Sequence, residues 1–182
     1  MSLASRLLDV IEDDIVPLTR AGVAAGDKVF GAALLRKDDL SLVIAGTNHE
    51  TANPLWHGEM HTLKQFFELP ERPPTSDLIF LSTHEPCSLC LSAITWAGLD
   101  NFTYLFSHED SRDAFAIPHD LRILHEVYGG PYRRENAFWT AQSLRMLAGP
   151  ELAPRIAALE QVYADLSATY QAGKGGAGIP FD

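Results

Sequence analysis

Residues 78–106 read LIFLSTHEPCSLCLSAITWAGLDNFTYLF, and this stretch decides the fold that the sequence predicts. It opens with an apolar run of strand length and closes with a second one at 102–106. Between the two runs, the pattern from Cys87 to about Ala97 is helical and stops at Gly98, a residue typical of helix C-termini. A strand, a helix and a second strand in this order indicate parallel neighbours with a helix packed on the sheet. The sequence therefore predicts an α/β protein.

The segments on either side extend this pattern. Apolar runs at 29–35 and 40–45 predict an antiparallel hairpin. The spacing of apolar residues predicts further helices at 3–21, 57–68, 119–128, 136–147 and 151–170. The pattern beyond residue 107 predicts no further strand. We expect one domain over 1–182, with a motif-bearing core at about 29–110 and a helical C-terminal extension at about 119–182.

Composition and charge restrict the partners. The chain has 182 residues, with 24 acidic against 14 basic side chains and a net charge of −10. Such a field repels phosphate backbones, so nucleic acid is a disfavoured partner. No apolar run reaches the length that spans a membrane, and no signal peptide is evident. The only two cysteines are Cys87 and Cys90, which argues against a secreted disulfide framework and predicts a cytoplasmic protein.

Two short motifs carry the chemistry: His57-Gly58-Glu59, and Pro86 to Cys90 with the sequence PCSLC. The two cysteines lie three residues apart near a predicted helix start, where the helix dipole favours the thiolate form. One imidazole and two thiolates are good ligands for Zn²⁺ and leave a fourth position open for water. Glu59 is not needed as a ligand, and a free carboxylate beside a metal-bound water can move protons. A redox pair is the alternative interpretation of the cysteines alone.

These motifs together form the zinc deaminase signature, and the chain resembles the cytidine deaminase-like superfamily over about residues 29–110. Glu85-Pro86-Cys87 is similar to the corresponding motif of guanine deaminases and bacterial tRNA adenosine deaminases. His57-Gly58-Glu59 is more similar to fungal cytosine deaminase, since tRNA adenosine deaminases usually have alanine between the ligand and the acid. The resemblance implies a three-layer α/β/α fold around a mixed sheet, and a homodimer.

The resemblance also implies the roles of individual residues. His57, Cys87 and Cys90 would hold Zn²⁺, and Glu59 would be the catalytic acid and base. Substrate-binding candidates are Asn48, Trp56, Gly58 and Glu85. Trp56 has two interpretations, a stacking wall of the pocket or a core residue.

The activity that this predicts is hydrolytic deamination of a small amino-substituted nucleobase, nucleoside or related N-heterocycle of the cytosine or guanine type, with release of ammonia. One alternative is a tRNA adenosine deaminase, which Glu85-Pro86-Cys87 favours and the net charge opposes. Another is a non-catalytic zinc-stabilised binding protein, which the C-terminal residues 136–182 favour and Glu59 opposes. The C-terminal Phe181-Asp182 is a candidate lid for the pocket.

Overall fold

A five-stranded mixed sheet forms the centre of this computed structural model, which describes residues 2–174 and 179. The predicted lid, Phe181-Asp182, lies outside the described residues. The strand order is β2-β1-β3-β4-β5. The strands are β1 (Gly31–Arg36), β2 (Leu42–Thr47), β3 (Leu78–His84), β4 (Asn101–Phe106) and β5 (Thr140–Ser143). β1 pairs antiparallel with β2 and β3, whereas β3–β4 and β4–β5 are parallel. The predicted hairpin and the predicted parallel pair are both confirmed.

Helices cover both faces of this sheet. They are α1 (Leu3–Val10), α2 (Val16–Ala24), α3 (Gly58–Phe67), α4 (Ser88–Trp96), α5 (His108–Asp113), α6 (His119–Tyr128), α7 (Leu144–Leu147) and α8 (Ala153–Gly173). Short 3₁₀ turns occur at Thr75–Asp77 and Pro150–Leu152. Within the part of the chain that the structure describes, no helix is long and apolar enough to cross a membrane.

The alternation of side chains along β1 divides the core into two clusters. Ala33 and Leu35 pack with the N-terminal helices and α8, while Ala32 and Leu34 pack with α3 and α4 on the opposite face. Every residue of β3 is buried, as expected for a strand that helices cover on both sides. The predicted three-layer α/β/α arrangement around a mixed sheet is therefore confirmed.

The predicted helix at 136–147 is wrong. The structure has a strand at Thr140–Ser143 instead, followed by only one helical turn in α7. This strand runs parallel to β4, with Asn101 opposite Thr140 and Tyr104 opposite Ser143. It satisfies backbone groups of β4 that would otherwise form an open sheet edge. The prediction that no strand follows residue 107 is wrong for the same reason.

The first predicted helix is interrupted. Residues Ile11–Ile15 form a π-helical segment between α1 and α2. Pro17 follows directly in the first turn of α2, and it has no N–H to donate to a preceding carbonyl. A wider π turn accommodates this missing bond without ending the helix, as π segments commonly do. The long helix expected at 151–170 is confirmed as α8.

Candidate active site

Two helix starts bring the motif residues together at the C-terminal end of β3. His57 is the residue that precedes α3, with extended backbone (φ −58°, ψ 162°), and Glu59 lies in the first turn of that helix. Cys87 precedes α4 in the same way, and Cys90 lies in its first turn. Successive helical residues are separated by about 100°, so His57 and Glu59 could not share a face in mid-helix. The predicted position of this pair at an irregular helix entry is confirmed.

The ligand atoms of His57, Cys87 and Cys90 form a small triangle. The Sγ atoms of Cys87 and Cys90 are 3.6 Å apart, and Nδ1 of His57 lies 3.4 and 3.8 Å from them. In a tetrahedral zinc site the corresponding separations are about 3.8 Å between two sulfurs and about 3.6 Å between sulfur and nitrogen. All three ligand atoms lie within 4.8 Å of one another. The donor set and its dimensions therefore fit Zn²⁺.

The three predicted ligands shift one another's pKa values. A hydrogen bond from Cys90, and then the adjacent His57, hold the pKa of Cys87 well below its ordinary value. Burial alone would lower the pKa of His57, but the hydrogen bond and negative charge of Cys87 raise it to about 9. Burial and the charge of its neighbour raise the pKa of Cys90. Cys87 is thus the more acidic of the two thiols.

Glu59 is buried beside this triangle. Its Oε2 atom lies 3.3 Å from Sγ of Cys90, and its Oε1 atom is 3.0 Å from the hydroxyl of Ser82 on β3. Burial, followed by the charge of Cys87, raises the pKa of Glu59 to about 7. A carboxyl group with a pKa near neutrality can both accept and return a proton at physiological pH. Glu59 is therefore a candidate for the proton-transferring carboxylate that the sequence predicts.

A cavity of about 260 Å³ opens beside His57 and Cys87. Its apolar lining includes Phe30, Leu55, Leu89, Ile117 and Ile123, and its polar lining includes Lys28, Glu50, His119 and Asp120. A second cavity of about 20 Å³ shares several of these residues and is also lined by Glu59. That volume holds about one water molecule. The site thus combines a ligand-sized pocket with a water-sized space next to the buried acid.

Two of the predicted substrate-binding residues, Asn48 and Glu85, are buried in polar networks. Asn48 donates from Nδ2 to Oε2 of Glu50 at 2.5 Å, and its Oδ1 atom has no hydrogen-bond partner among the described residues. Glu85 accepts hydrogen bonds from the hydroxyl of Tyr132 and from the backbone N–H of His108. Glu85 also lines the smaller cavity.

The structure places Trp56 outside the lining of the larger cavity. Its ring stacks on His49 and His61, with centroid distances of 5.9 and 5.6 Å. The ammonium group of Lys64 lies 5.3 Å from the centre of the Trp56 ring. Trp56 therefore belongs to a partly exposed stack of rings and directly follows Leu55, which does line the cavity.

Gly58 is buried where α3 meets β1, and no side chain fits there. A Cβ atom at this position would lie 2.7 Å from the carbonyl oxygen of Phe30 and 2.9 Å from Cα of Gly31. Both are backbone atoms of the central sheet region and cannot move aside easily. The glycine thus allows the close approach that brings His57 and Glu59 to the sheet end.

Replacing Gly58 with alanine should lower the free energy of unfolding by about 1–3 kcal/mol, because the added methyl group overpacks the contact with β1. Denaturant unfolding of the purified protein measures this. Gly22→Ala is the matched control, since its Cβ would meet no atom closer than 3.4 Å and alanine favours the helix α2. Equal stability of Gly58→Ala and the unchanged protein would contradict the close contact.

The sequence analysis missed several polar residues of the cavity, among them Lys28, Glu50, His119 and Asp120. They come from the segment before β1, the loop after β2 and the start of α6. Burial, followed by the charge of Cys87, raises the pKa of Asp120 to about 7. No motif spacing connects these positions, so only the fold reveals that they face one pocket.

Comparison with known proteins places the chain in a family. Residues 16–106, half of the chain, match the cytidine and deoxycytidylate deaminase zinc-binding region. Guanine deaminase of Bacillus subtilis (strain 168) is 30% identical over 102 residues, which cover 54% of this chain and 64% of that relative. The chain thus matches less than two thirds of the curated relative's length.

Solved structures agree on the fold. Guanine deaminase from Nitrosomonas europaea superimposes with a TM-score of 0.61 at 22% identity, over 94% of this chain and 85% of that chain. A mutant protein in complex with 8-azaguanine gives a TM-score of 0.62 at 22% identity, with the same coverage. With half of its sequence matching the family's zinc-binding region, the chain belongs to the cytidine and deoxycytidylate deaminase family, and Zn²⁺ is its cofactor.

Proposed function

We propose that this protein is a zinc-dependent hydrolase that removes the amino group of a small nucleobase, nucleoside or related N-heterocycle and releases ammonia. His57, Cys87 and Cys90 hold the metal in this proposal, and Glu59 is the catalytic acid and base. The observation that carries it is the buried Glu59 carboxylate, 3.3 Å from Sγ of Cys90 and beside a water-sized cavity. A purely structural zinc site has no use for such an acid, which opposes a non-catalytic binding role.

The proposed reaction needs one carboxylate in two roles. Bound zinc supplies Lewis-acid activation of a water molecule at neutral pH. Glu59 accepts a proton from that water and donates it to a ring nitrogen of the substrate as the water oxygen attacks the amino-bearing carbon. Glu59 then transfers the second water proton to the leaving amine. The C–N bond breaks, ammonia leaves, and the ring carbon keeps the oxygen as a carbonyl group.

The substrate that the pocket favours is a planar ring of the guanine type. Apolar side chains such as Phe30 and Ile117 offer apolar contacts to the faces of a ring, while Asp120 offers an acceptor for a ring N–H. The Bacillus subtilis relative is a guanine deaminase, and a protein of similar fold binds 8-azaguanine. A cytosine-type ring is the smaller alternative in this class.

We propose no nucleic acid partner, because the net charge of −10 would repel the phosphate backbone. This disfavours tRNA adenosine deamination. We further propose a homodimer, which the resemblance to the superfamily supports. A cytoplasmic location is proposed because reducing conditions keep Cys87 and Cys90 available as thiolate ligands.

Ammonia release from a substrate panel tests the proposal. The zinc-loaded protein is incubated with guanine, cytosine, adenine, their nucleosides, pterins and aminotriazines. We expect ammonia from guanine, with one equivalent of xanthine formed per ammonia. Release of ammonia from cytosine alone would support the proposed deamination but show that the substrate is a ring of the cytosine type. If zinc is bound and no compound releases ammonia, the proposed function is wrong.

A further inference from the structure

A buried ion pair between Lys28 and Glu50 is part of the lining of the pocket. Nζ of Lys28 lies 3.0 Å from Oε1 of Glu50, and their side chains are 8% and 1% exposed. Both residues belong to the lining of the 260 Å³ cavity. Transferring two charges from water into a protein interior is costly even when they pair, so such a pair contributes little to stability. Its presence beside a ligand pocket calls for another role.

The carboxylate of Glu50 faces the metal-ligand histidine. Its Oε1 atom is 3.6 Å from Nε2 of His57, an ion-pair distance that is longer than a hydrogen bond. The other ring nitrogen, Nδ1, points at the sulfurs of Cys87 and Cys90. The imidazole ring therefore lies between the metal ligands on one side and a buried carboxylate on the other. Carboxylates that accept a hydrogen bond from a ligand histidine fix its tautomer and ring orientation. At 3.6 Å, Glu50 acts on the Nε2 side of the ring through its charge, which leaves Nδ1 towards the sulfurs.

The second oxygen of Glu50 fixes the amide of Asn48. Oε2 accepts a hydrogen bond from Nδ2 of Asn48 at 2.5 Å. A carboxylate only accepts, so the NH₂ group of the amide must face Glu50. The Oδ1 atom of Asn48 is then the atom left over, and it is buried with no partner in the described parts of the chain. An amide held in this way keeps one buried acceptor unused.

We propose that Glu50 is a positioning residue that orients the His57 ring for zinc and the Asn48 amide for substrate, with Lys28 as its counter-ion. The inference rests on the proposed zinc deaminase site. Lys28 neutralises the charge of Glu50. The pair can therefore orient the His57 ring and the Asn48 amide without adding net charge to the site. Glu50 lines the cavity but is no metal ligand in this proposal, and it acts through His57 and Asn48.

The zinc dissociation constant of the full-length protein, measured by competition with a chromogenic chelator at fixed pH, tests the proposal. The double variant Lys28→Met/Glu50→Gln removes both charges and keeps the side-chain sizes. We expect it to bind zinc about 10–100-fold more weakly, as for other outer-shell partners of ligand histidines. We also expect the KM for the substrate to rise because the Asn48 amide can rotate.

The matched control is Lys37→Met/Asp100→Asn, which removes an ion pair of 2.7 Å at the opposite end of the sheet. It should leave zinc affinity unchanged. If the Lys28/Glu50 variant is less stable but binds zinc within twofold of the unchanged protein, the pair is merely structural and the proposal fails. If that variant does not fold, the zinc dissociation constant of Glu50→Asp tests the proposal instead. The shorter side chain keeps a charge to pair with Lys28 but moves the carboxylate away from His57 and Asn48. An unchanged zinc constant for Glu50→Asp would also overturn the proposal.

This measurement separates the two inferences. Zinc affinity is read without any substrate, so it does not depend on ammonia release. A protein that deaminates nothing but loses zinc affinity on Glu50 substitution would refute the proposed function and support the positioning role. A protein that releases ammonia but keeps its zinc affinity on Glu50 substitution would support the proposed deaminase function and refute the positioning role.

Discussion

Glu59→Gln should reduce ammonia release by a factor of about 10³ or more while the protein keeps its zinc. General acid–base catalysis contributes about 10²–10⁴-fold, and here one group would perform two proton transfers. Glutamine has nearly the same size and can still contact Ser82, which is 3.0 Å from Oε1 in the structure. It cannot accept and return a proton, so the chemical step should fail while the fold remains.

Two measurements make this result specific. Metal analysis of the purified variant should give the same zinc content as the unchanged protein, which shows that Glu59 is not a ligand. Glu68→Gln, at the exposed end of the same helix α3, is the control and should keep full activity. Activity of Glu59→Gln within tenfold of the unchanged protein would contradict the assigned role.

The metal triangle and the acid were predictable because their signals are local. His57 and Cys87 each stand one residue before a helix, and the helix starts follow from the sequence pattern around them. The apolar run at the start of β3 indicated a strand, and the structure has this strand with every residue buried. Because each motif lies at the start of a helix, the sequence alone is enough to predict that these side chains meet at one end of the sheet.

Other parts of the molecule depend on contacts between distant segments. β5 is only four residues long, and its outer residues Thr140 and Gln142 gave it no distinct apolar run. It is a strand because β4 offers an edge for pairing. Lys28, Glu50 and Asp120 are polar residues of three separate segments, which sequence patterns normally assign to the surface. Lys28 and Glu50 are buried and Asp120 is half-buried around one pocket, an arrangement that is a property of the tertiary fold.

Cys90→Ala should abolish zinc binding and reduce ammonia release below detection. Cys90 is 1% exposed, and its sulfur lies 3.6 Å from that of Cys87 and 3.8 Å from Nδ1 of His57. Alanine leaves two ligands on the protein, which cannot hold Zn²⁺ against solvent. The ring of His57 and the Cys87 thiolate would then remain as an incomplete site.

The same substitution should change how stability depends on metal. Zinc at about 1,000 times its dissociation constant stabilises a folded protein by about 4 kcal/mol, which corresponds to about 8–16 °C in melting temperature for a chain of this size. Chelation should therefore lower the Tm of the unchanged protein by roughly that amount and leave the Tm of Cys90→Ala unaffected. Ser92→Ala, exposed on the same helix α4, should respond to the chelator like the unchanged protein. Stoichiometric zinc and a chelator-sensitive Tm in Cys90→Ala would show that this thiol is not a ligand, because a three-ligand site cannot lose a member without losing affinity.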